Sequence, residues 1–289
     1  MKILVLGCKG QLGRCLNDEL LNTGYDVFYT SRDHIDIANI EVTKRKINEI
    51  APNVVINATA YTAVDKAEED HEQANLINHL AVASIANICR ELDCWLIHVS
   101  TDYVFDGTSS VPYKESDRTN PQGVYGQSKL MGEKSVQSSG CKYLIFRTAW
   151  IFSEYGDNFL KTMLRLGAIH DVLRVVDDQI GCPTDAHEIA RVMVGTLVYI
   201  ESAGCSSGIY NICSDSPCSW YDFAKKIFEV AEVLGMPVPR KIHAINSLEY
   251  PTKASRPAYS VLDCSKIHRN FNVEPFSLDK GIFSVMSKL

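Results

Sequence analysis

The chain has 289 residues, of which 46% are hydrophobic and 22% are charged, and its formal net charge is −6. This length suits one large α/β domain or a nucleotide-binding domain with a smaller lobe, and it allows a core that needs no metal or disulfide. The acidic balance argues against nucleic acid or an anionic membrane as the main partner, although a helix terminus can still bind a small anion.

Ten cysteines are scattered along the chain, with no CxxC pair and no zinc-finger spacing. We expect them to be free thiols, because several lie in apolar patterns where a thiol acts as a small hydrophobic group. No apolar run approaches the ~18 residues of a membrane span. With no recognisable signal peptide, the composition predicts a cytoplasmic protein that has no membrane partner.

Short apolar runs alternate with helical patterns in the first half of the chain. Strands are predicted at residues 2–6, 26–30, 53–57, 95–99 and 143–146. Helices are predicted at residues 11–22, 42–50, 72–92 and 123–137. This alternation is typical of βαβ units, and right-handed crossovers between them give a doubly wound parallel sheet of the Rossmann type.

The regular alternation weakens after residue 151. Helices are predicted at residues 158–166, 186–200 and 220–234, with a late strand at 209–212. We therefore expect a dinucleotide-binding Rossmann domain over residues 1–151, to which segments near 187–213 return. Residues 152–289 are expected to form mainly a smaller α/β lobe that binds substrate.

A glycine-rich loop follows the first predicted strand and precedes the first predicted helix. Gly7, Gly10 and Gly13 are spaced as GxxGxxG. The three glycines would allow a tight turn, close approach of the backbone to a pyrophosphate, and close packing of the helix on the sheet. The helix N-terminus would supply free N–H groups and a positive dipole. A purely structural turn is the alternative.

The end of the second strand is expected to select the cofactor. An acidic residue there would hold the ribose hydroxyl of NADH, whereas an arginine would favour the 2′-phosphate of NADPH. The chain has Ser31, Arg32 and Asp33 at this point. Arg32 favours NADPH over NADH, although Asp33 points the other way and Arg32 could also be a solvated surface cation.

Tyr125 and Lys129 are four residues apart in a predicted helix, so their side chains share one face. Tyrosine is a poor acid–base catalyst near neutral pH, because its ordinary pKa is ~10, and a nearby ammonium stabilises the phenolate. Ser100 or Thr101, at the end of the fourth strand, could orient a substrate oxygen beside the tyrosine. A surface helical pair is the alternative, but the glycine loop in the same chain favours proton transfer beside a dinucleotide.

These features resemble the extended short-chain dehydrogenase/reductase family over nearly the whole chain and, within it, the dTDP-4-dehydrorhamnose reductase family. The segments that carry the resemblance are residues 7–13, 57–68, 100–107, 124–126, 147–150, 178–184 and 256–257. The resemblance implies reduction of the C4 keto group of dTDP-4-dehydro-L-rhamnose to dTDP-L-rhamnose, a precursor of cell-surface polysaccharide, with NADPH or NADH.

The resemblance also implies roles for individual residues. Tyr125 would be the general acid, Lys129 its partner and Thr101 the third catalytic residue. The other residues implied to bind the cofactor are Gly7, Gly10, Gln11, Leu12, Gly13, Arg32, Asp36, Ile37, Ala58, Thr59, Ala60 and Thr62. The other residues implied to face the nucleotide sugar are Val64, Asp102, Tyr103, Trp150, Gln179, Pro183 and Thr184. Trp150 could stack on a sugar or base, or it could be a core aromatic residue that ends the fifth strand.

Two other functions on related scaffolds stay open. A nucleotide-sugar 4,6-dehydratase would need a second carboxylate after Asp102, where this chain has Tyr103, and a 4-epimerase would retain its NAD tightly. A regulatory subunit of methionine adenosyltransferase shares several of the motifs but binds a protein partner. Some members of the reductase family form a metal-dependent homodimer through carboxylates. Arg14 and Cys15 stand where an acidic residue is expected, so a homodimer is allowed but Mg²⁺ is not favoured and no metal ligand is assigned.

Overall fold

The computed structural model describes residues 1–289. Its strands are β1 (Lys2–Leu6), β2 (Asp26–Thr30), β3 (Val54–Asn57), β4 (Trp95–Thr101), β5 (Lys142–Thr148), β6 (Ile151–Phe152), β7 (Val172–Val176), β8 (Ile180–Gly181), β9 (Thr184–Asp185), β10 (Gly208–Asn211), β11 (Cys218–Ser219) and β12 (Lys241–Ile245). Its α-helices are α1 (Gln11–Leu20), α2 (Ile40–Ile50), α3 (Val64–Ala67), α4 (His71–Asn75), α5 (Ala81–Glu91), α6 (Val124–Ser139), α7 (Phe159–Gly167), α8 (Ala186–Glu201), α9 (Trp220–Val233), α10 (Ser265–Phe271) and α11 (Leu278–Met286).

Six strands form one parallel sheet in the order β10-β5-β4-β3-β1-β2, which confirms the predicted doubly wound fold. The chain adds β2 on one side of β1 and then β3 on the other. The strand order therefore reverses beside β1, and ligands of such sheets bind in the crevice at the carboxyl ends of the strands at this point. The late strand β10 pairs with β5 and completes the far edge.

The two faces of the sheet bury alternate residues of each strand, as a parallel sheet covered on both sides requires. Ile3 and Val5 of β1 pack with α1 and α8 in one apolar cluster. Leu4 and Leu6 pack with α2, α5 and α6 in a second cluster. The sheet thus sits between two helical layers, and its carboxyl edge carries the loops that follow β1, β3 and β4.

The helix predicted at residues 72–92 is one continuous rod with an irregular centre. A π-helical turn at Leu76–Leu80 separates α4 from α5. Asn78, which is buried in this turn, accepts a hydrogen bond from the Tyr61 backbone N–H at 2.8 Å and donates to the Ser128 hydroxyl at 3.0 Å. A π turn is often found at functional sites, and this one ties the loop after β3 to α6.

The second half of the chain contributes most of a third apolar cluster, which includes Phe152, Phe223 and Ile282. The helices predicted at residues 158–166 and 220–234 are present as α7 and α9. The parallel pair of β7 and β12, and the helices α10 and α11, were not predicted. Four of the five residues of β12 are exposed or half-buried, so its sequence lacks the apolar pattern of a core strand.

None of the helices combines the length and the apolar character that a bilayer crossing requires. All ten cysteines are free thiols, and seven of them are buried. The side chains of His, Cys, Asp and Glu nowhere assemble into a group of three or more that could hold a metal ion.

Candidate active site

The glycine loop joins the carboxyl end of β1 to α1. Gly7 has φ +86°, a left-handed backbone conformation that favours glycine. A Cβ atom on Gly13 would lie 2.1 Å from the Gly7 carbonyl oxygen, so a side chain there would push the helix away from the loop. No side chain caps α1, and its first turn contains no acidic residue. Its N–H groups and helix dipole are therefore free to bind a phosphate, as a dinucleotide requires.

The next residues of the loop connect it to the second half of the chain. The Gln11 amide donates to the Ile151 carbonyl at 3.2 Å and accepts from Asn158 Nδ2 at 2.7 Å. Leu12 belongs to the apolar core, although it also reaches the cleft that contains Tyr125. Gln11 thus fixes the start of α1 against the loop that follows β6.

A cleft of about 720 Å³ opens beside the glycine loop. The predicted cofactor residues that line it are Gly7, Gly10, Arg32, Asp36, Ile37, Ala58, Thr59 and Ala60. Arg32 Nε donates to Asp36 at 3.1 Å, while 78% of the Arg32 side chain is exposed. Lys9 forms an ion pair with Asp33, which lowers the pKa of that carboxyl group. The charge of Asp33 is therefore compensated, and Arg32 keeps a guanidinium edge open to a ligand.

The loop after β3 forms one wall of this cleft and is held from beneath. The Asn57 side-chain oxygen, which is buried, accepts hydrogen bonds from both the backbone N–H and the hydroxyl of Thr59, at 3.1 and 2.5 Å. The Thr59 methyl group lies against Gly7, where a Cβ would approach it to 2.8 Å. This contact sets the width of the cleft between the loops after β1 and β3.

A second cleft of about 640 Å³ continues from the first. The two share Gly10, Ala58, Thr59 and Ala60. The other predicted residues that line the second cleft are Gln11, Leu12, Thr62, Val64, Thr101, Asp102, Tyr103, Tyr125, Lys129 and Trp150. The fold therefore brings the glycine loop, the tyrosine–lysine pair and the end of β4 to one continuous groove.

Tyr125 and Lys129 lie one turn apart near the start of α6. The Lys129 side chain is 2% exposed, and its ammonium donates to the Val99 carbonyl at 2.5 Å. Burial lowers the pKa of Lys129 to about 8, although the nearby Glu133 opposes this change. Burial raises the pKa of the Tyr125 hydroxyl, while the Thr101 hydroxyl opposes the rise. Tyr125 is therefore a protonated phenol at neutral pH, the form that can donate a proton.

Thr101 ends β4 beside this pair and is oriented by its neighbour in the chain. Its hydroxyl donates to Asp102 Oδ1 at 2.9 Å and accepts from the Tyr103 N–H at 3.2 Å. Asp102 is 1% exposed, and burial raises its pKa to about 6. The Tyr103 ring packs edge-on against Tyr125, with centroids 5.7 Å apart. Asp102 thus lines the cleft and also accepts a hydrogen bond from the Thr101 hydroxyl.

The predicted substrate-binding residues within the segment 178–184 do not lie together at the cleft of Tyr125. Gln179 lines a neighbouring cavity of about 360 Å³ rather than the cleft of Tyr125. Pro183 and Thr184 are buried, and neither lines the two clefts or this cavity. The Pro183 carbonyl accepts from Ser214 at 2.7 Å, and the Thr184 hydroxyl donates to the Cys182 carbonyl at 2.9 Å.

Several residues that were not proposed from the sequence also line the second cleft: Gly156, Asp157, Asn158, Trp220 and Arg256. Arg256 donates to Asp65 at 3.0 Å. It lies in a segment that carried the family resemblance, so that segment could have identified it. Trp220 begins α9, whose apolar stripe was assigned to the core, and no local signal distinguishes it from core residues.

The whole chain is similar to proteins of known family. The sequence profile of the family described as "RmlD substrate binding domain" matches residues 1–289. The dTDP-4-dehydrorhamnose reductase of Escherichia coli K12 is 40% identical over 295 residues, which cover 100% of this chain and 98% of that protein.

Two solved structures are similar over their whole length. A dTDP-4-dehydrorhamnose reductase from Clostridium acetobutylicum superposes with a TM-score of 0.92 at 38% identity, covering 100% of this chain and 99% of that one. The corresponding reductase from Bacillus anthracis, in complex with NADP, has a TM-score of 0.91 at 33% identity, with coverage of 100% and 99%.

Proposed function

Because the chain belongs to the family described as the RmlD substrate binding domain, we propose that it reduces the C4 keto group of dTDP-4-dehydro-L-rhamnose to give dTDP-L-rhamnose. Its relatives of this name match it over their whole length. The observation in the structure that supports the proposal most directly is the single groove that holds both the glycine loop and Tyr125 with Lys129 and Thr101.

The residues of the groove suit a nicotinamide cofactor. The uncapped N-terminus of α1 and the left-handed turn at Gly7 that leads into it fit a pyrophosphate. The cofactor supplies, when bound, the hydride that C4 of the sugar receives. We propose that Gly7, Gly10, Gln11 and the loop at residues 58–62 hold it.

Tyr125 donates its proton to the C4 oxygen as negative charge develops there. The Lys129 ammonium lies one helical turn away and stabilises the phenolate that remains. The Thr101 hydroxyl, whose proton Asp102 accepts in this structure, turns that proton to the substrate oxygen and holds it within reach of the tyrosine. Positioning of the tyrosine against the C4 oxygen supplies much of the acceleration.

We propose that the enzyme prefers NADPH to NADH. Lys9 compensates Asp33, which would otherwise repel a 2′-phosphate, and Arg32 is largely exposed at the edge of the first cleft. Arg32→Ala should therefore weaken NADPH binding about tenfold and leave NADH binding within about twofold, since one lost charge contact is worth ~1.4 kcal/mol. Arg45→Ala, on the exposed part of α2, is the control. Equal losses for both cofactors would contradict this preference.

The test of the function is the loss of NADPH absorbance when purified protein is mixed with dTDP-4-dehydro-L-rhamnose, with product identified by mass spectrometry. Tyr125→Phe should lower kcat by at least about a hundredfold and keep NADPH affinity, because it removes only the general acid. Tyr143→Phe, at the amino end of β5, is the matched control.

No oxidation of NADPH or NADH by the wild-type protein would refute the reductase. An epimerase would interconvert nucleotide sugars without net oxidation of added NADPH. A regulatory subunit would consume neither the sugar nor the cofactor.

We further propose a cytoplasmic location, since ten free thiols suit a reducing compartment. We propose a homodimer in solution, which light scattering of the purified protein can test.

A further inference from the structure

The indole of Trp150 is held by contacts with two other residues, Trp220 and Gly181. Its ring stacks on that of Trp220 with centroids 3.4 Å apart and an interplanar angle of 6°. Gly181 lies against the Nε1, Cε2 and Cζ2 atoms, and a Cβ there would approach them to between 2.5 and 2.8 Å. Trp150 also has φ +48°, a conformation that a non-glycine residue keeps only where its surroundings fix it.

Trp220 is itself anchored independently of Trp150. It is the first residue of α9, and the Ser219 hydroxyl caps this helix by accepting from the Asp222 N–H at 3.0 Å. The same hydroxyl donates to Asp177 at 2.6 Å. On another side, the Phe159 ring lies 4.6 Å from the Trp220 ring. Trp220 therefore offers Trp150 a fixed surface.

Both indoles line the cleft that contains Tyr125 and Thr101, and both are only partly buried. Trp220 also lines the neighbouring cavity of about 360 Å³ and so separates it from the cleft. Because Trp220 covers one face of the Trp150 ring, that face cannot stack on a sugar or base. What Trp150 presents to the cleft is a rigid apolar wall.

We propose that Trp220 and Gly181 are positioning residues that hold Trp150 as this wall and thereby set the affinity for the nucleotide sugar. This inference rests on the proposed function. The wall contacts bound substrate before and during the reaction alike, so loosening it removes uniform binding, which raises KM and leaves kcat nearly unchanged. Neither residue lines the first cleft, so NADPH affinity should not change.

The experiment compares Trp220→Leu, which removes the stack, with Gly181→Ala, whose new Cβ would displace the Trp150 indole. Each should raise KM for dTDP-4-dehydro-L-rhamnose about tenfold, keep kcat within about threefold, and keep the NADPH dissociation constant. Trp220→Phe retains a ring that can stack and should restore KM to within about threefold of wild type. The NADPH measurement shows that each variant is folded.

Circular dichroism in the far ultraviolet, where the intense indole transition lies, tests the stack itself. Two closely parallel indoles couple and give a paired positive and negative band, which Trp220→Leu should abolish. Trp95→Phe removes the third tryptophan of the chain, which lies at the start of β4, and should keep the band pair.

The possible outcomes distinguish a failure of the proposed function from a failure of the inference about Trp220 and Gly181. A wild-type protein that oxidises no NADPH with this sugar would refute the proposed function and this inference with it. An active wild type with an unchanged KM in Trp220→Leu would overturn the inference alone. A parallel loss of NADPH affinity in both variants would show a merely structural role and would also overturn it.

Discussion

The burial of Lys129 should have a measurable effect on the free energy of unfolding. Its pKa falls from 10.5 to about 8 in the fold, so keeping the ammonium buried at pH 7 costs about 3 kcal/mol. The hydrogen bond to the Val99 carbonyl returns ~1–2 kcal/mol of this. We therefore expect Lys129→Met to stabilise the protein without cofactor by ~1–2 kcal/mol at pH 7 and to reduce activity at least about a hundredfold.

The pH dependence of the free energy of unfolding is the stricter test of this prediction. Between pH 8 and 10.5 the unfolded chain binds a proton at Lys129 that the folded protein does not, so wild-type stability rises with pH in this window. At pH 9.5 the wild type should have regained about 2 kcal/mol relative to its value at pH 7. The Met variant lacks this gain, so its advantage should disappear or reverse.

Urea unfolding of both proteins at pH 7 and pH 9.5, followed by tryptophan fluorescence, measures this difference. Lys134→Met, at an exposed position of the same helix, is the matched control and should change stability by less than about 0.5 kcal/mol at either pH. A difference between wild type and Lys129→Met that is the same at both pH values would refute the reasoning, because it would mean that the buried lysine keeps its proton throughout.

Three further outcomes follow from the geometry of the groove and of the core beside it. Glu133→Gln should destabilise the protein by ~3–5 kcal/mol in urea unfolding, because it leaves the guanidinium of Arg147 without its buried partner at 2.7 Å; a loss below about 1 kcal/mol would contradict the assignment. Gly13→Ala should weaken NADPH binding at least about tenfold in titration calorimetry, because its Cβ would lie 2.1 Å from the Gly7 carbonyl; unchanged binding would show that the loop can shift freely. Asp102→Ala should lower kcat about tenfold and keep NADPH affinity, because it removes the acceptor that orients the Thr101 hydroxyl at 2.9 Å; an unchanged kcat would remove that role.

The parts of the fold that sequence reasoning found are those in which local pattern and burial agree. Ile3, Leu4 and Val5 form an uninterrupted apolar run because β1 is covered on both faces, and the glycine loop follows directly. Any two residues that are four apart on a helix share one face, so the sequence alone predicts that Tyr125 and Lys129 are neighbours. The contact between this helix and the end of β4 depends on the tertiary structure. The βαβ alternation nevertheless predicts that the carboxyl ends of the parallel strands lie at one edge of the sheet.

The parts that were missed depend on contacts between distant segments. β7 and β12 pair across about seventy residues of chain, and β12 is too exposed to show an apolar period. Trp220 belongs to the cleft only because α9 points its first residue at Trp150, and a tryptophan at a helix start looks like any other apolar residue in a stripe. Asp102, predicted to face the nucleotide sugar, lines the second cleft, and its hydrogen bond with Thr101 is a further contact that the sequence did not indicate.

The position of β10 has a consequence for how this enzyme can be made and recombined. Until the ribosome has synthesised α8, α1 lacks the cover that this helix provides, and until it has synthesised β10, β5 is an open edge of the sheet. An unpaired edge and an uncovered apolar helix both invite association with other chains. A fragment that stops at residue 151 should therefore aggregate, and chimaeras between relatives should tolerate a crossover placed after Asn211 far better than one placed between the two halves.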